Sequence, residues 1–136
     1  MTNTIQIMHG AEGIKDAYRL SLQAASLDVV CLTENYEEVI GDFFDKEYAP
    51  KLYDGTRETR EILPDSPDNR AYAQKKGEMN AARFINGQAE SDMLIFENTV
   101  ILISYNQESP YACVIEDEKL VKGMKIQFEA LWKQLK

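Results

Sequence analysis

Glu34-Asn35, Arg60, Arg83 and the pair Glu90 and Asp92 are the side chains whose types and places could do chemistry in this chain. Each sits in or beside a short apolar run. Glu90 and Asp92 are two residues apart, so on an extended strand they point the same way and could accept hydrogen bonds from hydroxyls or pair with Arg83. An arginine inside a short apolar strand needs a carboxylate partner, which need not be a ligand. The competing reading of the same residues is a solvated hairpin end with ordinary surface ion pairs. His9, the one histidine, lies between an apolar run and a glycine turn, compatible with a pocket rim. As a general base it would need an oriented partner that the sequence does not supply, so structural hydrogen bonding is the expected role. The acidic run Glu34, Glu37, Glu38, Asp42, Asp45 and Glu47 is not spaced as a calcium loop and reads as a solvated helix face. No glycine-rich phosphate loop, serine elbow or CxxC pair occurs, and no metal site or cofactor is expected.

The elements that must position these groups follow from hydrophobic spacing. Thr4 to Met8 reads as a strand, and Ile14, Tyr18, Leu22 and Ala25 recur at helical spacing from Glu12 to about Ala25. Leu27 to Leu32 is a branched apolar run too short for a helix, hence a strand buried on both faces. Asn35 is placed to cap a second helix, with Glu38 three residues on. Tyr36, Val39, Ile40, Phe43, Phe44 and Tyr48 form its stripe, and Pro50 should end or bend it. Strands are predicted over Thr56 to Leu63, Arg83 to Ile85, Met93 to Phe96, Val100 to Tyr105 and Tyr111 to Ile115. Pro64 to Pro67 and Asn86-Gly87 read as turns, and Asp68 to Gly77 as a short polar helix. From Glu118 the residues Leu120, Val121, Met124, Phe128, Leu131, Trp132 and Leu135 share one helical face, with Asp117 as cap. This order implies an α/β fold, a mixed β-sheet flanked by helices on both faces, over residues 1–136 as one domain.

Composition narrows the function classes. Fifteen basic against twenty-three acidic residues give a net charge of −8, the wrong sign for holding phosphate backbones, so direct nucleic-acid contact is disfavoured. Two cysteines in apolar surroundings, Cys31 and Cys113, read as reduced small hydrophobes. The first residues lack a basic segment followed by a long apolar one, and Val100 to Ile103 is far too short to span a bilayer, so a cytoplasmic protein without membrane contact is expected.

The segment Ala89 to Asn106, a polar lead-in, two apolar strands about a short turn and a terminal Ser104-x-Asn106, resembles the signature hairpin of the phospholipase D superfamily. Active members carry a His-x-Lys-x-x-x-x-Asp motif there. Alignment on Ser104 and Asn106 puts Ala89 at the histidine, Ser91 at the lysine and Phe96 at the aspartate. Ala89 cannot form a phosphohistidine and Ser91 cannot neutralise a phosphate. The fuller resemblance is to the C-terminal effector domain of TrmB-type transcriptional regulators. It rests on Gly10-x-x-Gly13-Ile14, Thr59-Arg60-Glu61-Ile62, Arg83-Phe84, the hairpin and Phe128-x-x-Leu131-Trp132, from about Ile5 to Leu135. Such regulators usually begin with a DNA-binding winged helix, which no segment here supplies, so the chain is expected to be a stand-alone sensor or part of a longer regulator.

The resemblance implies a phospholipase D-like sandwich that is not an enzyme. Its crevice, lined by Glu34, Asn35, Arg60, Arg83, Glu90, Asp92, Ser104 and Asn106, is expected to bind a small polar molecule, a sugar by family analogy, and to shift a homodimer or domain arrangement. The alternative is an interaction module whose crevice is filled by side chains and whose apolar surface mediates dimerisation. A hydrolase using His9, Glu90 and Asp92 is a third class, requiring turnover of diester or glycoside substrates.

Overall fold

A computed structural model describes residues 3–136. Thr4–His9 forms β1, and Gly10–Ser21 forms α1. Gly13, in the first turn of α1, lies so close to the end of β1 that a Cβ there would sit 2.5 Å from the Met8 carbonyl carbon and 2.6 Å from its oxygen. The strand-to-helix turn therefore needs glycine at this position. Gly13→Ala is expected to cost about 1–3 kcal/mol through overpacking against backbone, read as a lower urea midpoint; an unchanged midpoint would show that the turn can open.

Helix α1 stops at Ser21, earlier than the apolar spacing suggested. Leu22, Gln23 and Ala24 continue it only as tight turns, because Arg57 takes the carbonyls of Leu22 and Ala24. Ser26–Cys31 is β2. The second helix is not continuous. Glu37–Ile40 is a single turn, α2, broken at Gly41, whose φ of 62° is left-handed. A π-helical turn, Phe44–Tyr48, leads into α3, Ala49–Leu52. Pro50 does not end this run; it occupies the first turn of α3, where its missing N–H costs nothing. Nor does the Asn35 side chain cap α2: the capping position is Tyr36, without a side-chain cap bond, and Asn35 contributes only its backbone carbonyl, which accepts from the Glu38 N–H at 3.2 Å.

β3 is Glu58–Pro64, and α4 is Pro67–Gln74, capped by Ser66, whose hydroxyl accepts from the Asn69 N–H at 3.1 Å. β4, Asn80–Ile85, starts earlier than the apolar run because it pairs with β3 from Asn80 onward. β5 (Ser91–Phe96), β6 (Thr99–Ser104) and β7 (Tyr111–Glu116) follow, and α5, Glu118–Gln134, closes the chain. The Asp117 carboxylate caps α5 through the N–H groups of Lys119 and Leu120.

One seven-stranded sheet in the order β1-β7-β6-β5-β2-β3-β4 results. β2, β3 and β4 are parallel, joined by helical crossovers, and the remaining pairs are antiparallel. Alternation along each strand sends side chains to two cores. Leu27, Val29, Leu94, Ile101, Ile103 and Val114 pack under α1 and the α2–α3 run with Ile14, Tyr18, Phe43 and Tyr48. Ile62, Ile95 and Val100 pack under α5 with Val121, Phe128 and Trp132. The α/β architecture with helices on both faces is the expected one. Among the described residues no helix is long and apolar enough to cross a membrane.

Candidate functional site

The C-terminal ends of the parallel strands open into a cleft of about 660 Å³ on the α1 side of the sheet. A crevice at this place is what strand reversal in an α/β sheet generates: β2 and β3 run one way, β5 the other, and their connections diverge. Strand alternation places Val29, Cys31 and Thr33 from β2 and beyond, Glu61 and Leu63 from β3, and Asp92 and Leu94 from β5 on the floor. Glu34, Asn35 and Tyr36 after β2, and Asp68, Asn69 and Tyr72 of α4, make the rim.

Asp92 is buried at the cleft floor. One oxygen accepts from the Tyr18 hydroxyl at 2.8 Å, the other lies 3.4 Å from the Thr33 N–H, and Tyr18 in turn touches the Tyr105 hydroxyl. Burial raises the Asp92 carboxyl above its ordinary range, opposed by the hydrogen bonds from Tyr18 and Thr33. Burial and the Asp92 charge push the Tyr18 phenol well up. An acid whose folded value is raised gives stability that is complete below its ordinary value and lost as pH rises through the folded one. Relative to Asp92→Asn, the wild-type chain should therefore lose stability as pH climbs from the usual aspartate range. Urea unfolding of both proteins across that range measures this; a pH-independent difference would show that Asp92 titrates normally.

A second buried group lies beside it. Lys76, 4% exposed in its side chain, pairs with Glu61, 5% exposed, and Tyr53 donates to the other Glu61 oxygen at 2.6 Å. The ammonium lies 5.0 Å from the Tyr53 ring centroid and 4.6 Å from that of Tyr72. Burial pulls Lys76 down to about 8. Thr33 is 5% exposed, and its hydroxyl oxygen is buried without a hydrogen-bond partner among the described residues.

The residues expected to share one crevice are divided by the sheet. Glu34, Asn35 and Asp92 do meet in the cleft. Arg60 and Arg83 do not; both are held on the opposite face by α5. Arg60 pairs with Asp28 at 2.9 Å and Glu129 at 2.7 Å and lies over the rings of Phe128 and Trp132. Arg83 donates to the Trp132 carbonyl and lies 4.4 Å from that ring centroid. The reason is parity: Arg60 alternates with Thr59 and Glu61, so when Glu61 faces the cleft Arg60 faces away. Glu90 precedes β5 and is exposed whereas Asp92 is buried, and among the described residues neither pairs with Arg83. Ser91 and Ser104 are register partners that border a second, apolar groove on the far face with Ile7, Met93, Leu102 and Tyr111. Ala89 and Asn106 are exposed; the Ala89 N–H reaches the Leu32 carbonyl, and Asn106 accepts from the Glu108 N–H. Phe96 is buried in the α1-side core. His9, exposed, precedes α1 with no side-chain cap bond.

Tyr18, Thr33, Glu61, Lys76 and Tyr105 escaped the reading of the sequence. Glu61 carried a usable signal, a charge on the buried parity of a strand; the others are joined only by tertiary structure. Among the described residues no group of three or more His, Cys, Asp or Glu could hold a metal.

No protein-family model matches the chain, and no curated protein matches it in sequence. Solved structures do share its fold. NucT from Helicobacter pylori superposes with a TM-score of 0.70 at 8% identity, covering 98% of both chains. Nuc from Salmonella typhimurium, a phospholipase D family member, gives 0.61 at 18% identity, covering 99% of this chain and 97% of its own. TrmBL2, an archaeal chromatin protein with a novel mode of DNA binding, gives 0.61 at 13% identity over 97% of this chain, which spans 53% of TrmBL2. The expectation that the chain is no enzyme is corrected by these neighbours: essentially the whole chain superposes on a phospholipase D family member, so the fold offers no ground for that exclusion. The seven-stranded sheet with its flanking helices is thus a phospholipase D-like fold, shared with TrmBL2.

Proposed function

We propose that the chain is a regulator-related domain that binds a small polar molecule in the cleft between β2, β3 and β5. The observation that carries this is the open 660 Å³ cleft, whose floor holds a buried carboxylate, Asp92, and a buried hydroxyl without a partner, Thr33. Buried polar groups are ordinarily satisfied, so an orphaned acceptor at a cleft floor fits a donor arriving with a ligand. Glu34, Asn35 and Asn69 at the rim add acceptors and amides suited to the hydroxyls of a sugar, and Tyr36 and Tyr72 add flat apolar faces. Calorimetric titration with a panel of mono- and disaccharides and polar metabolites is the test. Saturable binding weakened about tenfold by Thr33→Val, the loss of one hydrogen bond to ligand, is expected; no binder in the panel, or binding indifferent to Thr33 and Asp92, overturns it.

A second reading, association of two copies, is favoured by the sheet's far face. Ile5 is 69% exposed on the edge strand β1, and the groove beside it carries Ile7, Leu102 and Tyr111. A homodimer through this face predicts a sedimentation coefficient that rises with concentration and reverts to the monomer value in an Ile7→Lys variant; a monomer at every concentration removes it.

A further inference from the structure

We infer that the ligand of this cleft carries an ammonium group, a narrowing that rests on reading the cleft as a binding site. Four carboxylate residues line it, Glu34, Glu61, Asp68 and Asp92, and no lysine, arginine or histidine among the described residues lines it with them. Lys76, whose ammonium lies beside the lining residues Glu61 and Tyr72, is already paired with Glu61. A phosphate or carboxylate ligand would therefore enter a negative field without a counter-charge, whereas a cation gains from it.

Two further features of the cleft agree, and the protein holds a precedent. Thr33 lines the cleft, and its buried hydroxyl oxygen, without a hydrogen-bond partner among the described residues, is an acceptor for an N–H that reaches it. Tyr36 lines the rim, and ammonium groups are attracted to aromatic rings of this kind. The protein itself shows this recognition at one end of the cleft, where the Lys76 ammonium is held by a carboxylate and two tyrosine rings. An amine entering beside it would find the same chemistry unoccupied: Glu34 and Asp68 carboxylates, both exposed and with no ion pair among the described residues, and Tyr36.

The test uses matched pairs that differ by one ammonium, D-glucosamine against D-glucose and 1,5-diaminopentane against 1,5-pentanediol, titrated calorimetrically into the full chain at pH 7. The amine of at least one pair is expected to bind about tenfold tighter than its alcohol, as one desolvated ion contact or cation–π contact provides. Glu34→Gln with Asp68→Asn, both at exposed positions, should collapse that ratio towards one without lowering the unfolding midpoint. If the alcohols bind as tightly as the amines, the ammonium inference falls while the cleft remains a site for neutral polar molecules. If the amine preference persists in the double variant, it does not arise from these carboxylates and the inference falls. If none of the four binds and the saccharide panel is also silent, the binding reading falls with it.

Discussion

Replacing Lys76 with methionine is expected to destabilise the protein by about 3–5 kcal/mol, because the change strands the Glu61 carboxylate in the interior. Glu61 is 5% exposed, and without Lys76 its remaining partner is the Tyr53 hydroxyl at 2.6 Å. A single neutral donor does not offset the desolvation of a carboxylate. The double change Glu61→Leu with Lys76→Met removes both charges and leaves an apolar pair of similar volume beside Tyr53 and Tyr72, so it should recover most of the loss. Urea unfolding of the two variants gives the contrast directly: a large loss in the single variant and a near-native midpoint in the double. A single variant within 1 kcal/mol of wild type would mean that Glu61 reaches water or protonates readily, and a double variant as unstable as the single would make the pair a packing device. The outcome also bears on function. Lys76 contacts the rings of both Tyr53 and Tyr72, and Tyr72 belongs to the cleft rim, so the pair ties the segment after α4 to β3 beside the cleft.

This pair also shows where a one-dimensional reading gives out. The strand over Thr56 to Leu63 was legible from its branched residues, and Glu61 within it was visible as a charge on the parity of Thr59 and Leu63. Its partner fifteen residues on, beyond a turn and a helix, was not. The same limit divided the candidate site. Glu34, Asn35 and Asp92 were found because loops at strand ends converge wherever strand direction reverses, a topological fact that patterning exposes. Arg60 and Arg83 were misplaced because a strand's period fixes which residues share a face but not which face meets which helix. Helix α5, the longest apolar stripe in the chain, was read correctly from Asp117 onward, and that helix claimed the arginines. The broken second helix had its cause in the sequence as well. Gly41 sits inside the stripe, and its positive φ ends α2, whereas Pro50, the more conspicuous breaker, is accommodated.

The second large effect follows from that assignment of the arginines. Trp132→Ala should cost about 3–5 kcal/mol, the usual range for emptying a buried tryptophan site. Trp132 is 7% exposed, stacks on Phe128 with centroids 6.0 Å apart, and packs with Ile62, Ile95 and Val100 of the sheet. It also carries two cations, Arg60 at 5.6 Å and Arg83 at 4.4 Å from its ring. Trp132→Phe keeps much of the apolar volume and a ring face for both, and should retain more than half of the lost stability. If Arg60 and Arg83 served a ligand in the cleft, removing Trp132 would leave them free to do so and ligand affinity would change with the charge of the ligand. Held as they are by α5, they have no route to the α1 side: Arg60 is committed to Asp28 and Glu129, and Arg83 to a carbonyl of the helix itself. Binding measured on the Trp132→Phe variant at a temperature where it is folded should therefore match wild type. A shift in affinity there would connect the two faces of the sheet and return the arginines to the site.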